Sequence, residues 1–482
     1  MLNFGIRLSL IWAMGFILTC LTGAPTLAQN EDVSDPLPII EWQKRQTKDE
    51  RLTAYGDDLM GDGIDRHIGS LVFNHTDISL PGNSGLPVAI SRTLSSGYKY
   101  DEGVNVGFGD WELDVPKISA IAGESHGWAG QRCSGTWKDS LPDLSRTIRV
   151  GPDRFQYIEL SHKQYSNGVN MSIPGQGSQS ILEPNASNPY PTGAVRVTVD
   201  EWYLKCTTAS DGDEGFIAHA PNGDIYEFDR VIIRDYKRMG FAKRTQTSIN
   251  RVKVALMATQ VTDVHGNWVK YVYDSQDRLT RIHANDGRSI DLTYTNQLIS
   301  SVSANDRTWT YSYRDSTFAK PEWDPNSGTI PFQPFESKVL DKVTRPDDTY
   351  WKFNLDNMRA EPSPPSRQCQ QWDYTVSLKH PHGVTGTFVI DDLQHRQAWK
   401  YFTTVSPNCI YAATFEPGVG GVGQPVVSNE QDPFEVLTTR AMSVTSKTLS
   451  APSIPEAVWT FEYEQDDPCV GLPVTALSLI HI

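Results

Sequence analysis

Cysteine is scarce, with six in 482 residues, and none stands in a Cys-x-x-Cys pair, so the commonest zinc-binding spacing is missing. There is no His-Glu-x-x-His and no Gly-x-x-x-x-Gly-Lys, which leaves zinc-peptidase and P-loop chemistry without their residues. The nucleophile elbow Gly-x-Ser-x-Gly is also missed. Gly82-Asn83-Ser84-Gly85 comes nearest, but its second glycine is one place early, and it reads as a turn. Positive charge is in deficit: 43 Lys and Arg stand against 58 Asp and Glu, a net charge of −15 that repels nucleic acid and anionic membrane. Uninterrupted helical windows are few, because 36 Gly and 30 Pro punctuate the chain. No catalytic, cofactor-binding or metal-ligating residue is assigned. The expectation is a protein that is not an enzyme and needs no cofactor.

Long apolar runs are lacking too, with one exception. Arg7 precedes an apolar stretch over residues 8–21, and Thr26-Leu27-Ala28 follows it with the small residues a signal peptidase reads. Residues 1–28 are therefore expected to be a secretory signal peptide. The stretch is short for a membrane span, which takes about 20 apolar residues; an uncleaved anchor helix is the alternative. Cys20 follows Leu18-Thr19, not the small residue of a lipoprotein site. The implied location is secreted or cell surface, with no membrane insertion once the signal is removed. Export to an oxidising compartment makes disulfides the natural use of Cys133, Cys206, Cys369, Cys409 and Cys469. Cys133–Cys206 and Cys369–Cys409 are the simplest pairs by order, although sequence does not fix connectivity. Cys469 is left over, either free or paired outside this chain.

What is present is aromatic and β-branched: 19 Tyr, 17 Phe and 13 Trp are concentrated in short runs between turn residues. Over residues 261–274 a His265-Gly266-Asn267 turn joins two alternating strands. In the second strand Val269, Tyr271 and Tyr273 share one face, and Trp268, Lys270, Val272 and Asp274 the other. A turn at residues 275–278, a strand from Leu279, a Gly287-centred turn and a strand over residues 289–294 follow. Gly266 to Gly287 and Tyr273 to Tyr294 are both 21 residues, and Tyr294 to Tyr313 is 19. Such a period marks a repeating hairpin whose aromatic face is buried only by its neighbours, giving a continuous sheet of near-linear architecture. Hairpins of the same kind are expected at residues 220–228, 345–354 and 382–390. Pro-rich stretches at residues 321–334 and 361–365 read as loops.

The fold class is therefore all-β, stacked antiparallel hairpins forming a curved sheet. The chain is divided into a signal peptide (1–28), a polar linker (29–50), an N-terminal β region (51–245), degenerate repeats (246–360), a further β-hairpin region (361–476) and residues 477–482. The last six resemble the translated transposon end used in sequencing libraries and are left out of the fold.

Gly266-Asn267, Tyr271-Val272-Tyr273-Asp274 and Arg278-Leu279 together resemble the tyrosine–aspartate (YD) repeat of Rhs-type proteins. The next two units are degenerate: Thr295 stands after Leu292-Thr293-Tyr294, and Arg314 after Tyr311-Ser312-Tyr313. Residues 69–88 and Gly107-Phe108-Gly109-Asp110-Trp111-Glu112-Leu113-Asp114-Val115-Pro116 resemble the N-terminal segments of the same family. The resemblance implies a hollow β-shell that often encloses a C-terminal toxic domain, released by a self-cleaving core region. Neither that region nor a toxin is visible here. The implied role is a non-enzymatic exported scaffold, partnered by its own missing C-terminal region or effector domain. A surface protein that binds glycans or mediates adhesion is the alternative.

Three groups of side chains invite other chemistry. Asp57, Asp58, Asp62 and Asp65, and separately Asp211, Asp213 and Glu214, are carboxylates among glycines that could offer oxygens to calcium, or could simply be solvated turns. His67, and His75 with Asp77, could form an acid–base set, but no nucleophile accompanies them. Trp268, Tyr271, Tyr273, Tyr294, Trp309, Tyr311 and Tyr313 could stack on sugars, though in a two-faced sheet they are expected to pack between repeat units.

Overall fold

The computed structural model describes residues 56, 58–65, 69–82, 85–96, 106–151, 154–183, 193–240, 248–321, 332–359, 374–396 and 438–463. All belong to the second of two compact units, Ala54–Ile482. The signal peptide, the linker, Asp57, His67, Ser84, residues 361–365, Cys369, Cys409, Cys469 and residues 477–482 lie outside the described residues.

One turn design recurs. At Ala209, Ala220, Asp263, Asp274, Ala284, Arg345 and His380 the backbone N–H donates to the carbonyl four residues on, at 2.7–3.0 Å, and the N–H of the fourth residue donates back to the first carbonyl. The fourth residue has φ between 60° and 91°: Gly212, Gly223, Gly266, Gly287 and Gly383, with Asp277 and Asp348 in the other two. Glycine takes this left-handed conformation without steric cost, and aspartate tolerates it. The result is a tight hairpin whose last residue forms a bulge. Every described turn that the Gly-centred and Asp347-Asp348 patterns led us to expect is of this kind.

Between the turns run 25 strands among the described residues. Four make an N-terminal antiparallel sheet: β1 (Asp62–Ile64), β2 (Leu71–Leu80), β3 (Val88–Ser95) and β4 (Glu112–Asp114). β5 (Lys117–Gly123) begins the main sheet, and β6 (Leu144–Gly151) and β7 (Arg154–Leu160) form a separate ribbon. The main sheet continues through β8 (Val169–Ile173), β9 (Gly177–Leu182), β10 (Arg196–Thr198), β11 (Tyr203–Thr208), β12 (Glu214–His219), β13 (Ile225–Gly240) and β14 (Ser248–Thr262). The repeat strands follow: β15 (Trp268–Tyr273), β16 (Leu279–Ala284), β17 (Ser289–Thr295), β18 (Leu298–Ala304), β19 (Arg307–Pro321) and β20 (Phe332–Thr344). Then come β21 (Tyr350–Asn354), β22 (Tyr374–Lys379), β23 (Thr385–Arg396), β24 (Thr438–Ala451) and β25 (Ile454–Thr460). No helix among the described residues is long and apolar enough to cross a membrane.

The sheet of β5 and β8–β25 closes on itself, and β14 is where it forks. One edge of β14 pairs with β13 along its length. The other edge is shared: Arg251–Met257 pair with β5, and Gln260–Thr262 with β15. Because β5 pairs with β8, and β8 leads strand by strand back to β13, one branch is a circuit of β5 and β8–β14. The other branch, β15–β25, is a meander in which each strand pairs with its sequence neighbours. The continuous, near-linear sheet expected for the repeating hairpins is this second branch. The Pro-rich stretch at residues 321–334 is corrected: Ala319 pairs with Pro334 and Pro321 with Phe332, so a long hairpin enters it from both sides. Proline is tolerated at the ends of such ladders, where its missing N–H breaks little.

Candidate functional site

The repeat tyrosines explain how one strand is fastened to the last. In β15, β17 and β19 the register slips by one residue immediately before Tyr273, Tyr294 and Tyr313. The extra residue is on the following strand, Thr280, Ser300 and Asp341 respectively, and that strand bends opposite the tyrosine. Each hydroxyl then donates to a carbonyl of the preceding strand: Tyr273 to Ala258 at 3.1 Å, Tyr294 to Leu279 at 2.8 Å and Tyr313 to Ile299 at 2.7 Å. Those carbonyls lie just past the last backbone pair between the two strands. The phenol thus carries on the ladder where the backbone leaves it. Burial pushes all three phenols up, so they stay protonated donors.

The motif aspartate serves the turn. The Asp274 carboxylate accepts from the N–H of Gln276 (2.8 Å) and Arg278 (3.0 Å) and pairs with the Arg278 guanidinium. Burial alone would raise its pKa, but these bonds hold it below the usual carboxylate range. Arg278 reaches on to the Asn296 carbonyl (2.7 Å) and lies over the Tyr294 ring at 4.9 Å, tying one unit to the next. The degenerate positions now have a reason. Thr295 pairs directly with Leu298 across the two residues Asn296-Gln297, and Arg314 lies within a strand that runs on to Pro321. Neither is followed by a five-residue turn of the kind that the Asp274 carboxylate caps. Arg314 instead pairs with Asp356.

A second feature joins the N-terminal sheet to the repeat branch. Asp77 falls at the bulge of β2, between Thr76 and Ile78. Arg92 donates to it through Nε at 2.8 Å and Nη2 at 3.2 Å, and the Tyr311 hydroxyl at 3.1 Å. The Arg92 and Asp77 side chains are 0 % and 3 % exposed, and the guanidinium lies 4.2 Å over Trp111 and 4.8 Å over Phe353. Lys447 of β24 reaches both oxygens of Asp62 at 2.7 and 2.9 Å, again with almost no exposure. The Asp110 carboxylate accepts from the Leu340 N–H at 2.7 Å, and Arg288 donates to the carbonyls of Leu80 and Leu86, both at 3.1 Å. Apolar packing fills the space between: Phe73 meets Phe388 at 5.2 Å, and Trp111 meets Phe353 at 5.2 Å. A bidentate guanidinium pair in such surroundings fixes geometry more than it adds stability, and it leaves a buried charge if either partner goes.

The second acidic cluster is taken up internally. Asp211 pairs with the Arg132 guanidinium, and Asp213 accepts from the Gly130 N–H at 3.1 Å. Glu214 accepts from the N–H groups of Cys133 (2.9 Å) and Ser134 (2.8 Å) and from the Ser134 hydroxyl (2.6 Å). These carboxylates clamp the loop that carries Cys133, which forms a disulfide with Cys206 of β11 as the sequence order suggested. The bond to Arg132 holds Asp211 below the usual carboxylate range. Burial opposes the same shift in Glu214, but its hydrogen bonds outweigh it.

The other candidates disperse. Asp62 is engaged by Lys447, not gathered with Asp58 around a common centre, and no group of three or more metal-ligating side chains occurs among the described residues. His75 and Asp77 both point inward, but Asp77 is held by Arg92 and Tyr311. Of the aromatic candidates, Tyr271, Trp309 and Tyr311 are buried, and Tyr273, Tyr294 and Tyr313 are half-buried with bonded hydroxyls. Half-buried Trp268 packs edge-on against His283 at 5.4 Å. Sequence patterns led to the tyrosines but missed Arg92 and Lys447, and offered Asp62 to calcium where the fold gives it to Lys447.

No family model matches the chain, and no curated protein does. Solved structures resemble it loosely. The TcdB2-TccC3-TEV crystal structure matches at 9% identity and a TM-score of 0.27, over 89% of this chain and 25% of that one. The N-terminal domain of effector protein SpvB from Salmonella typhimurium strain LT2 matches at 10% and 0.19, over 66% and 94%. TcdB2-TccC3-Cdc42 matches at 10% and 0.26, over 78% and 22%. This chain thus spans about a quarter of the first of these. At such identities and scores, no residue of this chain acquires a role from them.

Proposed function

We propose that this chain is a non-catalytic, exported wall module, the N-terminal part of an Rhs/YD-repeat shell that encloses or displays another polypeptide. The observation that carries the proposal is the tyrosine-stapled meander. Every strand here is fastened to the previous one by its backbone ladder, and β15, β17 and β19 also by a phenol that extends the ladder past its end. Such a wall grows by adding units and has no natural stop in its chemistry. The polar pins that fix the N-terminal sheet to the wall support its use as a fixed first element. The enclosed partner would be the region that follows the repeats in the complete protein, and export would proceed through residues 1–28.

The test is to express the complete natural reading frame and digest it with a broad-specificity protease. Protection of whatever follows the repeats, lost when that segment is made alone, is the expected result. Equal digestion in both settings, or a reading frame with nothing after the repeats, would sink the wall role. Hits on a glycan array would turn the reading toward adhesion. A reporter fused to residues 1–28 checks export.

A further inference from the structure

We propose that the contact between the N-terminal sheet and the repeat branch is an acid-released latch, with the imidazole of His75 as its proton acceptor. The inference concerns this contact alone and does not depend on what the wall encloses.

His75 is on β2, in the inward row with Leu71 and Phe73, and is 6 % exposed. Its ring meets Trp351 of β21 edge to face at 4.4 Å, Phe353 at 5.9 Å and Trp111 at 5.2 Å. Gly61 presses on the remaining side: a Cβ there would come within 3.1 Å of Cδ2 and 3.2 Å of Nε2. The imidazole is therefore walled by both partners of the contact. Nε2 has no hydrogen-bond partner, nor have Arg92 Nη1 and Trp111 Nε1 beside it.

The charges facing this ring are few. Arg92 of β3 adjoins it, and Asp77, the nearest carboxylate of β2, is committed to Arg92 and Tyr311. His380 lies on Trp351 from another side at 4.5 Å, followed by His382 and Arg345. A proton on His75 would thus add a second cation next to Arg92 and create an N–H donor with no acceptor. Burial first, and Arg92 second, push the His75 pKa well below its ordinary value; a backbone bond with Met60 opposes them, and His380 adds to them. Burial, His382 and Arg345 depress His380 in the same direction.

The sign follows by linkage. Undocked, His75 takes up a proton near its ordinary value of about 6.5; docked, it does so only at lower pH. The docked form is favoured in full above about pH 6.5. Below that it loses ground by up to about tenfold per pH unit until the docked pKa is reached. His380 adds to the effect.

Hydrogen exchange of the full chain, corrected for the intrinsic pH dependence of exchange, tests this. Between pH 7.5 and 5.0, peptides over residues 71–80 and 88–95 should lose protection by about tenfold or more, while those over residues 251–257 keep theirs. In His75→Phe, which preserves the aromatic packing without a titrating group, the loss should shrink severalfold. An unchanged acid loss in His75→Phe, or none in the wild type, overturns the proposal. Should His75→Phe not fold, nitrogen NMR of the wild-type imidazoles decides. His75 should stay neutral until residues 71–80 open and then titrate together with the opening. Titration near pH 6.5 without opening overturns it.

Discussion

The repeat branch and the region before it are both antiparallel sheet, yet they cohere by different means. In β15–β25 nearly every bond is local: turns close on themselves, strands pair with their sequence neighbours, and Tyr294 reaches back only to Leu279. Before β15 the decisive contacts are distant. β5 pairs with β14, the Tyr311 hydroxyl reaches Asp77 across 234 positions, and Lys447 reaches Asp62 across 385. Local contacts are added one unit at a time and lost one unit at a time. Distant buried charges form or fail with the whole assembly, because each is costly without its partner.

Substitutions in the two regions should therefore differ in size and in reach. The largest effect is expected from Arg92→Met, which leaves Asp77 buried with only the Tyr311 hydroxyl. Stability should fall by about 3–5 kcal/mol, read as a shift of the urea midpoint. Adding Asp77→Leu should recover much of the loss, since the orphaned charge causes most of it. A loss under about 1 kcal/mol would mean that the pair behaves as a surface ion pair and the contrast between regions fails.

Cys133→Ala comes next. The disulfide spans 73 positions, and its removal should cost about 2–4 kcal/mol, seen as a lower Tm. The carboxylate clamp should keep the loop at residues 130–134 in place at neutral pH, with a consequence at acid pH. The folded-state pKa values of Asp211 and Glu214 are depressed, so their contribution is complete above the ordinary carboxylate range and fades as pH falls through the depressed values. Without the disulfide, hydrogen exchange in that loop should rise below about pH 4; in the wild type it should change much less. Equal acid sensitivity in both proteins would show that the carboxylates, not the disulfide, hold the loop.

Tyr294→Phe should cost less, about 1–2 kcal/mol, because it removes one hydroxyl donor and leaves the Leu279 carbonyl short of a partner. The effect should also stay local. Exchange should quicken in β16 and β17 and remain unchanged at Phe73 and Ile90 of the N-terminal sheet. Faster exchange there would show that the stapled branch is as cooperative as the pinned one.

The same contrast decides what the sequence could disclose. Turn residues and the Tyr-x-Tyr spacing act over short distances, so Gly266, Gly287, Tyr273 and Tyr294 announced strands, turns and period. The bulges opposite Tyr273, Tyr294 and Tyr313 left no composition signal, and the fork at β14 left none, because the fork depends on which distant edge arrives. Arg92 and Lys447 did leave a trace. Val88, Ile90, Arg92 and Leu94 occupy one buried row of β3, and Lys447 and Leu449 one row of β24. A charge at an apolar position in an alternating strand signals a buried partner, but not which one. Asp62 and Asp77 stood out as carboxylates, but the fold alone assigns them to Lys447 and Arg92.

Thr295→Asp is the finest probe of this account, since it restores in the second unit the Tyr-Asp step of the first, Tyr273-Asp274. If the aspartate contributed by belonging to the motif, the change would stabilise the unit. The geometry says otherwise. Thr295 pairs with Leu298 across a two-residue turn with Asn296 at φ 58°, so no N–H groups are arranged as those of Gln276 and Arg278 are around Asp274. Arg278, the cation a new carboxylate would seek, is already bonded to Asp274 and the Asn296 carbonyl. The substitution should leave stability within about 0.5 kcal/mol of the parent, whereas Asp274→Ala should cost more and loosen exchange in its own turn. A gain of more than about 1 kcal/mol from Thr295→Asp would mean that the aspartate acts through Arg278 rather than through turn geometry.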